Sequence, residues 1–428
     1  MTDTQPPHPP DTRAAPPLPT PPTPTQHAWE RAHAAPVNWR GRARRRLARR
    51  WKLIAGLCIV STFYVVAVLA NFIAPYDASE QSRQQPLAPP TVIRFRDEEG
   101  RWQARPFIYR LRLTDPLART YSEDTSARFP LKLFPRGHSY KLFGLFQTDR
   151  HLFGVAHDLP QRSAPPHNSG AQQNANAPQN ANAAQSANVS SSPQQQQRVY
   201  LLGTDEFGRD RLSRLLMASR FSLAVGPLGT LLAGVLGVFL GCVSGYAGRR
   251  VDALLMRAAD AMLALPDLVL ILAARAAFPL VLPPTHAGLL LVAIFIAIGW
   301  AEMARLARGM VLGLREREFV LAAVSLGLTE TRILFRHILP NASRPLVVQL
   351  SLMLPAFLLA ETALSFLGVG VQEPAASWGN MLVSASNLTL LGQQPLVLLS
   401  PAFAIFLFVL GVRLLSDGLR RDGDLRAR

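Results

Sequence analysis

Apolar residues along this chain come in long blocks, with little of the alternation of a soluble sheet. The runs Leu53–Ala74, Phe221–Gly245, Leu265–Leu282, Ala287–Leu306, Leu346–Leu367 and Leu396–Leu415 are each roughly 20 residues long, the length a helix needs to cross ~30 Å of hydrocarbon. The shorter runs call for tilt or for partner helices. The pattern predicts an all-α membrane protein of six transmembrane helices. A basic stretch, "RGRARRRLARRWK", precedes the first run, as in a signal peptide. It begins about 40 residues in, and no small-residue cleavage site follows, so the run reads as a membrane span.

The segments between the runs differ in kind. Residues 1–36 are Pro-rich and hold too little apolar surface to offset chain entropy, which predicts a disordered tail. Residues 37–75 form the basic flank and first span. A long insert separates the first two spans. Its first part, 76–162, includes "TVIRFRDEEGRWQARPFIYRLRLTDP", whose partial alternation predicts a small β-rich lobe. Its second part, 163–197, is an Asn/Gln/Ala low-complexity linker. Residues 198–420 form the core, with a polar loop at 312–342, and 421–428 are a tail.

Charge orients the spans. The connections near 283–286 and 368–395 carry no Lys or Arg, whereas the N-terminal flank, 246–264, 307–345 and the tail "RRDGDLRAR" are rich in arginine. Six spans put all four basic segments on one side, so both termini are expected in the cytoplasm and the insert outside, where a long loop escapes the charge rule. The composition is 49% hydrophobic, 17% charged, with a formal net charge of +17. That positive charge is nearly all arginine and is not interleaved with stacking aromatics, which argues against a nucleic-acid surface. Cys58 and Cys242 fall inside predicted spans and support neither a disulfide nor a metal site. His151 and His157 lack nearby metal-ligating partners, so no metal and no cofactor is expected.

Three patterns carry candidate function. Gly229, Ala233, Gly237, Gly241 and Gly245 recur every fourth residue, placing small side chains on one helix face where another helix can approach closely. Arg275, Glu302 and Glu361 are ionisable residues within predicted spans, and Arg275 and Glu361 are candidates for a translocation path. An Arg275–Glu361 pair is an alternative, as is a backbone-bonded Arg275. The third pattern is "REREFVLAAVSLGLTETRILFRHILPN". It predicts a helix over Glu318–Leu326, stopped at Gly327 in a left-handed cap, then a second helix capped by Thr329. Glu330 favours the positive end of that helix, Ile333, Leu334 and Ile338 face inward, and Pro340 ends it. Such a helix–turn–helix could lie on lipid or fit a groove on a cytoplasmic partner.

"AAVSLG" followed by "RHILPN" resembles the EAA loop of permease subunits of bacterial ABC importers. The stretches "LLGTDEFGRDRLSRLL", "SGYAGRRVDALLMRAADAMLALP" and "ETALSFLGVGVQEPAASWGNML" resemble one branch, the C-type permease subunits of peptide and nickel importers. The resemblance covers roughly 200–420 plus the first span. It implies a type I importer bundle in a bacterial inner membrane, carrying peptides or similar small solutes. Glu318, Ala322, Ala323, Gly327, Leu328 and Pro340 would belong to the loop that docks on the ATPase. The family's glutamate is replaced by Leu321. The implied partners are a homologous permease, two ATP-binding subunits and a periplasmic solute-binding protein. No GxxxxGK[ST] occurs, so ATP chemistry would belong to those partners. The competing expectation is a stand-alone secondary transporter or channel, driven through Arg275, Glu302 and Glu361.

Overall fold

The computed structural model describes residues 39–97, 99–115, 119–142, 146–155 and 198–426. The Pro-rich tail and the Asn/Gln/Ala linker lie outside these residues, as does His157. The chain divides into two compact units, Met1–Arg49 and Arg50–Arg428. Of the first unit, only residues 39–49, the start of the first long helix, are described.

Among the helices are α1 (Trp39–Val68), α2 (Arg211–Tyr246), α3 (Arg249–Leu263), α4 (Asp267–Ala276), α5 (Pro284–Arg315), α6 (Glu318–Ser325), α7 (Glu330–Ile333), α8 (Leu339–Phe366), α9 (Trp378–Met381) and α10 (Ser400–Arg426), with short helical turns at Ala70–Ile73, Leu388–Gln393 and Pro395–Leu398. Among the described residues, five helical stretches are long and apolar enough to cross a membrane. They are Trp51–Val68 of α1, α2, α5, the continuous run Glu330–Phe366, and Ser400–Arg420 of α10.

The predicted span Leu265–Leu282 is not one of them. Pro266 caps α4 and Ala277 closes it, leaving ten helical residues, which at ~1.5 Å each cover about half of the hydrocarbon thickness. Pro279 and Pro283 then keep the chain from continuing as helix until α5 begins at Pro284, a first-turn position that suits proline. The arginine-rich connection before it, 246–264, holds the 15-residue amphipathic helix α3.

Small residues decide how the long helices meet. A Cβ built on Gly229 would lie 2.7 Å from Phe295. On Gly237 it would lie 2.6 Å from Met303, on Gly241 2.7 Å from Ala307, and on Gly245 2.6 Å from Val311. The numbers rise together on both helices, so α2 and α5 run parallel at backbone contact. Helix α8 runs antiparallel to α2, with Gly226 against Leu358 and Gly234 against Leu350. Helix α1 is antiparallel to α2: Tyr64 donates to Leu223 O at 3.4 Å and Arg220 donates to Ala67 O at 2.8 Å. Two apolar cores result. One joins α2, α5 and α8 around the stacked rings of Phe295 and Phe357, whose centroids are 4.7 Å apart. The other joins α1, α2, α8, α9 and α10 around Phe63, Trp378 and Phe408.

Between α1 and α2 sits the expected β-rich lobe. Strands β1 (Arg94–Arg96), β2 (Trp102–Asp115), β3 (Thr120–Leu133) and β6 (Phe153–Val155) form one antiparallel sheet in the order β1-β2-β3-β6. Strands β4 (Arg136–Leu142) and β5 (Phe146–Arg150) pair separately. Ile108, Val155 and Val199 form its small core. His151 is buried and its ring nitrogens face the carbonyls of Ala74 (2.7 Å) and His138 (3.1 Å), so its role there is to join lobe to bundle.

Candidate functional site

The helix–turn–helix begins at the end of α5. Helix α6 stops where Gly327 adopts φ +73°; Gly327 N donates to Val324 O (2.9 Å) and Leu328 N to Ala323 O (3.2 Å), tying off the last carbonyls. A Cβ at Gly327 would meet nothing within 4 Å, so backbone conformation, not crowding, calls for glycine there. Val320, Ala323, Ile333 and Ile338 are buried against Cys242 and Val311, seating the motif on the ends of α2 and α5. Leu328 and Leu334 are half-buried at its edge. The opposite side is open and apolar. Phe319, Leu321, Val324 and Phe335 are exposed, Leu326 is 81% exposed, and Glu318 and Ala322 lie on the same outer surface.

Two details of the sequence reading are corrected. Thr329 stands at the N-cap of α7, but its side chain caps no backbone N–H and sits 3.4 Å from the Thr331 hydroxyl. Pro340 does not end the second helix. Residues Leu334–Ile338 form a π-helical turn in which Leu339 N donates to Leu334 O, and the chain runs on into α8 with Pro340 in its first turn. The wider turn and the first-turn position accommodate the missing N–H of proline. The Asn341 side-chain amide donates to His337 O at 2.6 Å, satisfying a carbonyl beside the proline.

Arg275 and Glu361 are both fully buried, and the structure does not bring them together. Arg275 Nη1 donates to Pro279 O (3.0 Å) and Nη2 to Leu280 O (3.1 Å), satisfying carbonyls just past the end of α4. Glu361 Oε1 accepts from Ser365 Oγ at 2.9 Å. Around it, Ser222 Oγ accepts from Trp378 N (3.3 Å) and Ser377 caps α9 through a reciprocal pair with Asn380. The carboxyl therefore belongs to the seat of α9 in the bundle. Glu302 is exposed on α5. None of the described Cys, His, Asp and Glu residues gathers in threes as a metal site would require.

Sequence reasoning missed an ionic knot. Asp205 Oδ1 accepts from the Phe207 and Arg209 amides, both at 2.9 Å, curling "TDEFGRD" into a tight loop at Gly208, φ +73°. Arg209 then bridges two carboxylates, Asp205 at 2.6 Å and Glu373 at 2.5 Å. Arg214 holds the other oxygen of Glu373 at 2.9 Å, with Asp205 at 3.6 Å. Both guanidiniums are buried, whereas Glu373 is half-exposed. Next to them, Asp210 caps α2 by accepting from Ser213 N (2.8 Å) and Ser213 Oγ (2.6 Å). Its complete burial pushes this carboxyl up to about 6. The signal was visible only as two charged motifs, "GTDEFGRD" and "VQEPAASW". Their partners lie some 160 residues apart, beyond any local pattern.

Residues 237–422 match the family described as binding-protein-dependent transport system inner membrane component. Residues 38–90 match the N-terminal TM domain of oligopeptide transport permease C. The oligopeptide transport system permease protein OppC of Bacillus subtilis (strain 168) is 37% identical over 227 residues, 53% of this chain and 72% of that protein. The dipeptide transport system permease protein DppC of Alkalihalophilus pseudofirmus is 38% identical over 231 residues, 54% of this chain and 73% of its own. OppC of Haemophilus influenzae is 36% identical over 241 residues, 56% and 74% respectively.

Proposed function

Because the chain belongs to the family of binding-protein-dependent transport system inner membrane components, as a permease subunit of an ABC importer, we propose that its cargo is di- or oligopeptides or chemically similar solutes. The named functions of its relatives support that cargo. In this reading a homologous permease completes the path, two ATP-binding subunits sit below, and a periplasmic binding protein delivers cargo from above.

The bundle then makes six crossings of the inner membrane. Parallel packing of α2 on α5 supports this, since the chain must return through the bilayer between them. Helices α3 and α4 together supply about 38 Å of helix for that return, split at Pro266. Six crossings leave both termini and the helix–turn–helix in the cytoplasm, in accord with the arginines of the N-terminal flank, 307–345 and the tail; the fourth basic segment, 246–264, is largely taken up by α3 at the start of the return.

The observation that carries the mechanism is the exposed apolar side of α6 and the turn at Gly327. An apolar peg projecting into the cytoplasm, seated firmly on α2 and α5 and continuous with α8, suits docking into a groove of the ATPase. Closure of the ATPase pair would move the peg, and the peg would move the spans. The buried, internally bonded state of Arg275 and Glu361 gives no support to ion-coupled transport by this chain alone. Gly327→Trp would lose the αL cap and obstruct the groove. Co-purification of the ATPase subunits with wild type, but not with a well-inserted Gly327→Trp chain, is the expected result. Retention of the ATPase and of peptide uptake by that variant would refute the docking role.

A further inference from the structure

Two neighbouring residues of the lobe grip the end of the first span. Leu152 N donates to Phe72 O at 2.8 Å. His151 Nδ1 lies 2.7 Å from Ala74 O, and its Nε2 lies 3.1 Å from His138 O on β4. A carbonyl oxygen only accepts, so both contacts are hydrogen bonds only when both ring nitrogens carry protons. The neutral ring has one N–H, and its bare nitrogen would turn a lone pair toward the other carbonyl. Turning the ring over gains nothing, since it would set carbon atoms against both oxygens. His151 is 1% exposed, and a Cβ on Gly137 would lie 2.6 Å from its Cδ2, so the ring is closely walled in.

The surroundings suit a cation on this ring. Ala74 closes the helical turn Ala70–Ile73 at the end of the first span, so its carbonyl belongs to the negative end of a helix. The rings of His138 and His151 lie 4.4 Å apart, and that of Tyr140 packs at 5.0 Å with its hydroxyl donating to Arg150 O. Burial first, and His151 next, pull His138 below the ordinary histidine value, so His138 is the neutral member of the pair. Of the charged groups around them, Arg136 lies 3.8 Å from Asp149, Arg198 is paired with Glu80, and Arg150 is exposed. Asp77 accepts from Ser79 N at 2.8 Å and adds a carboxylate whose field reaches His138. A cleft of about 360 Å³, lined by Tyr76, Glu80, Arg136, His138, His151 and Arg198, gives protons a way in.

We propose that His151 is a proton-operated latch, doubly protonated while the lobe is docked on the first span and releasing it when the proton is lost. Histidine is the side chain that changes charge between pH 5 and 8. Deprotonation here breaks a charge-assisted bond and leaves a buried carbonyl facing a lone pair. The docked lobe holds one proton that the freed lobe gives up, so docking weakens as pH rises. In the topology proposed above the joint faces outward, and the pH it reads is that of the extracytoplasmic side.

The test uses the full chain in lipid nanodiscs and follows hydrogen exchange of the Leu152 amide, with the intrinsic rate corrected for pH. Protection of this amide should fall about tenfold between pH 5.5 and pH 8, the scale of one charge-assisted bond. Amides of the β2–β3 pairing should hold their protection, and an equal fall there would mean that the lobe unfolds rather than undocks, which overturns the latch. His151→Gln should leave Leu152 weakly protected at both pH values. A pH step that survives in that variant, or no step in wild type, would overturn the proposal. Should His151→Gln fail to insert, His138→Asn decides, because it keeps the accepting carbonyl and removes the other titrating ring. A retained step supports His151, and a lost step assigns the effect to His138 and overturns the proposal.

Discussion

Gly241→Ala adds one methyl group where two helix backbones touch. The new Cβ would lie 2.4 Å from Ala304 O, 2.7 Å from Ala307 Cβ and 3.0 Å from Arg308 N. Ordinary contact begins near 3.4 Å, so α2 and α5 must part locally by about 1 Å. Two of the three obstructing atoms are backbone and cannot rotate away. Overpacking of this kind costs about 1–3 kcal/mol, and the gap opened on either side forfeits further contacts. Alanine's better helix propensity returns about 1 kcal/mol. Gly309→Ala and Gly313→Ala on the open face of α5 serve as controls, because a Cβ at either meets nothing within 4 Å. Both should keep the propensity gain without the clash, placing Gly241→Ala about 1–3 kcal/mol below them. Apparent melting of the detergent-solubilised chain, followed by size-exclusion fluorescence at one heating protocol, ranks the three. Equal melting of all three variants would refute the close-approach reasoning.

The ionic knot predicts that Glu373→Ala destabilises the chain by about 1–3 kcal/mol, less than a fully buried pair because Glu373 is half-exposed; thermal melts with Arg214→Met as the second arm of a double-mutant cycle would measure the coupling. Asp210 supplies a pH dependence. Its carboxyl is raised from 3.8 to about 6 in the folded state, so the folded chain holds this proton more tightly, and stability from this group is greatest below pH 4 and lost as pH rises through 6. Asp210→Asn, which keeps the cap, should remove that slope between pH 4 and 6, and melting curves across this range check it. Arg275→Gln should reduce the amount of folded protein in the membrane while lowering uptake of acidic and neutral peptides alike; selective loss of acidic peptides would place Arg275 on the path after all.

Much of this fold could be read from residue patterns, and the failures have physical causes. Five spans announce themselves because lipid leaves a helix few options but a long apolar run. The interval of four from Gly229 to Gly245 likewise fixes a face, and α5 lies against it. The 265–282 segment misled because hydropathy rewards Leu268–Leu272 without registering that Pro266 and Pro279 bound a ten-residue helix. At Pro340 the general rule that proline ends a helix lost to a π turn and to the Asn341 amide, a tertiary choice that no propensity encodes. Burial of Arg275 follows from its chemistry, but its partners are carbonyls three to five residues onward, found only once α4 stops at Ala276. The knot of Arg209, Arg214 and Glu373 depends wholly on the fold that brings its parts together.

The helical run from Glu330 to Phe366, continuous through Pro340, Pro345 and Pro355, has a mechanical consequence. At ~1.5 Å per residue it is a rod of about 55 Å with its foot among the residues of the helix–turn–helix and its shaft in the bundle core. A flexible hinge would absorb a push, whereas a helix passes on both thrust and twist. A π turn amounts to one extra residue in an α-helix, so Leu334–Ile338 also sets the angular phase of foot against shaft. Removing a single residue there would restore α geometry and turn the foot by about 100°, leaving every contact of the shaft in place. Torque between the two ends of one helix could thereby be retuned by a change in length alone, with no new side chain required.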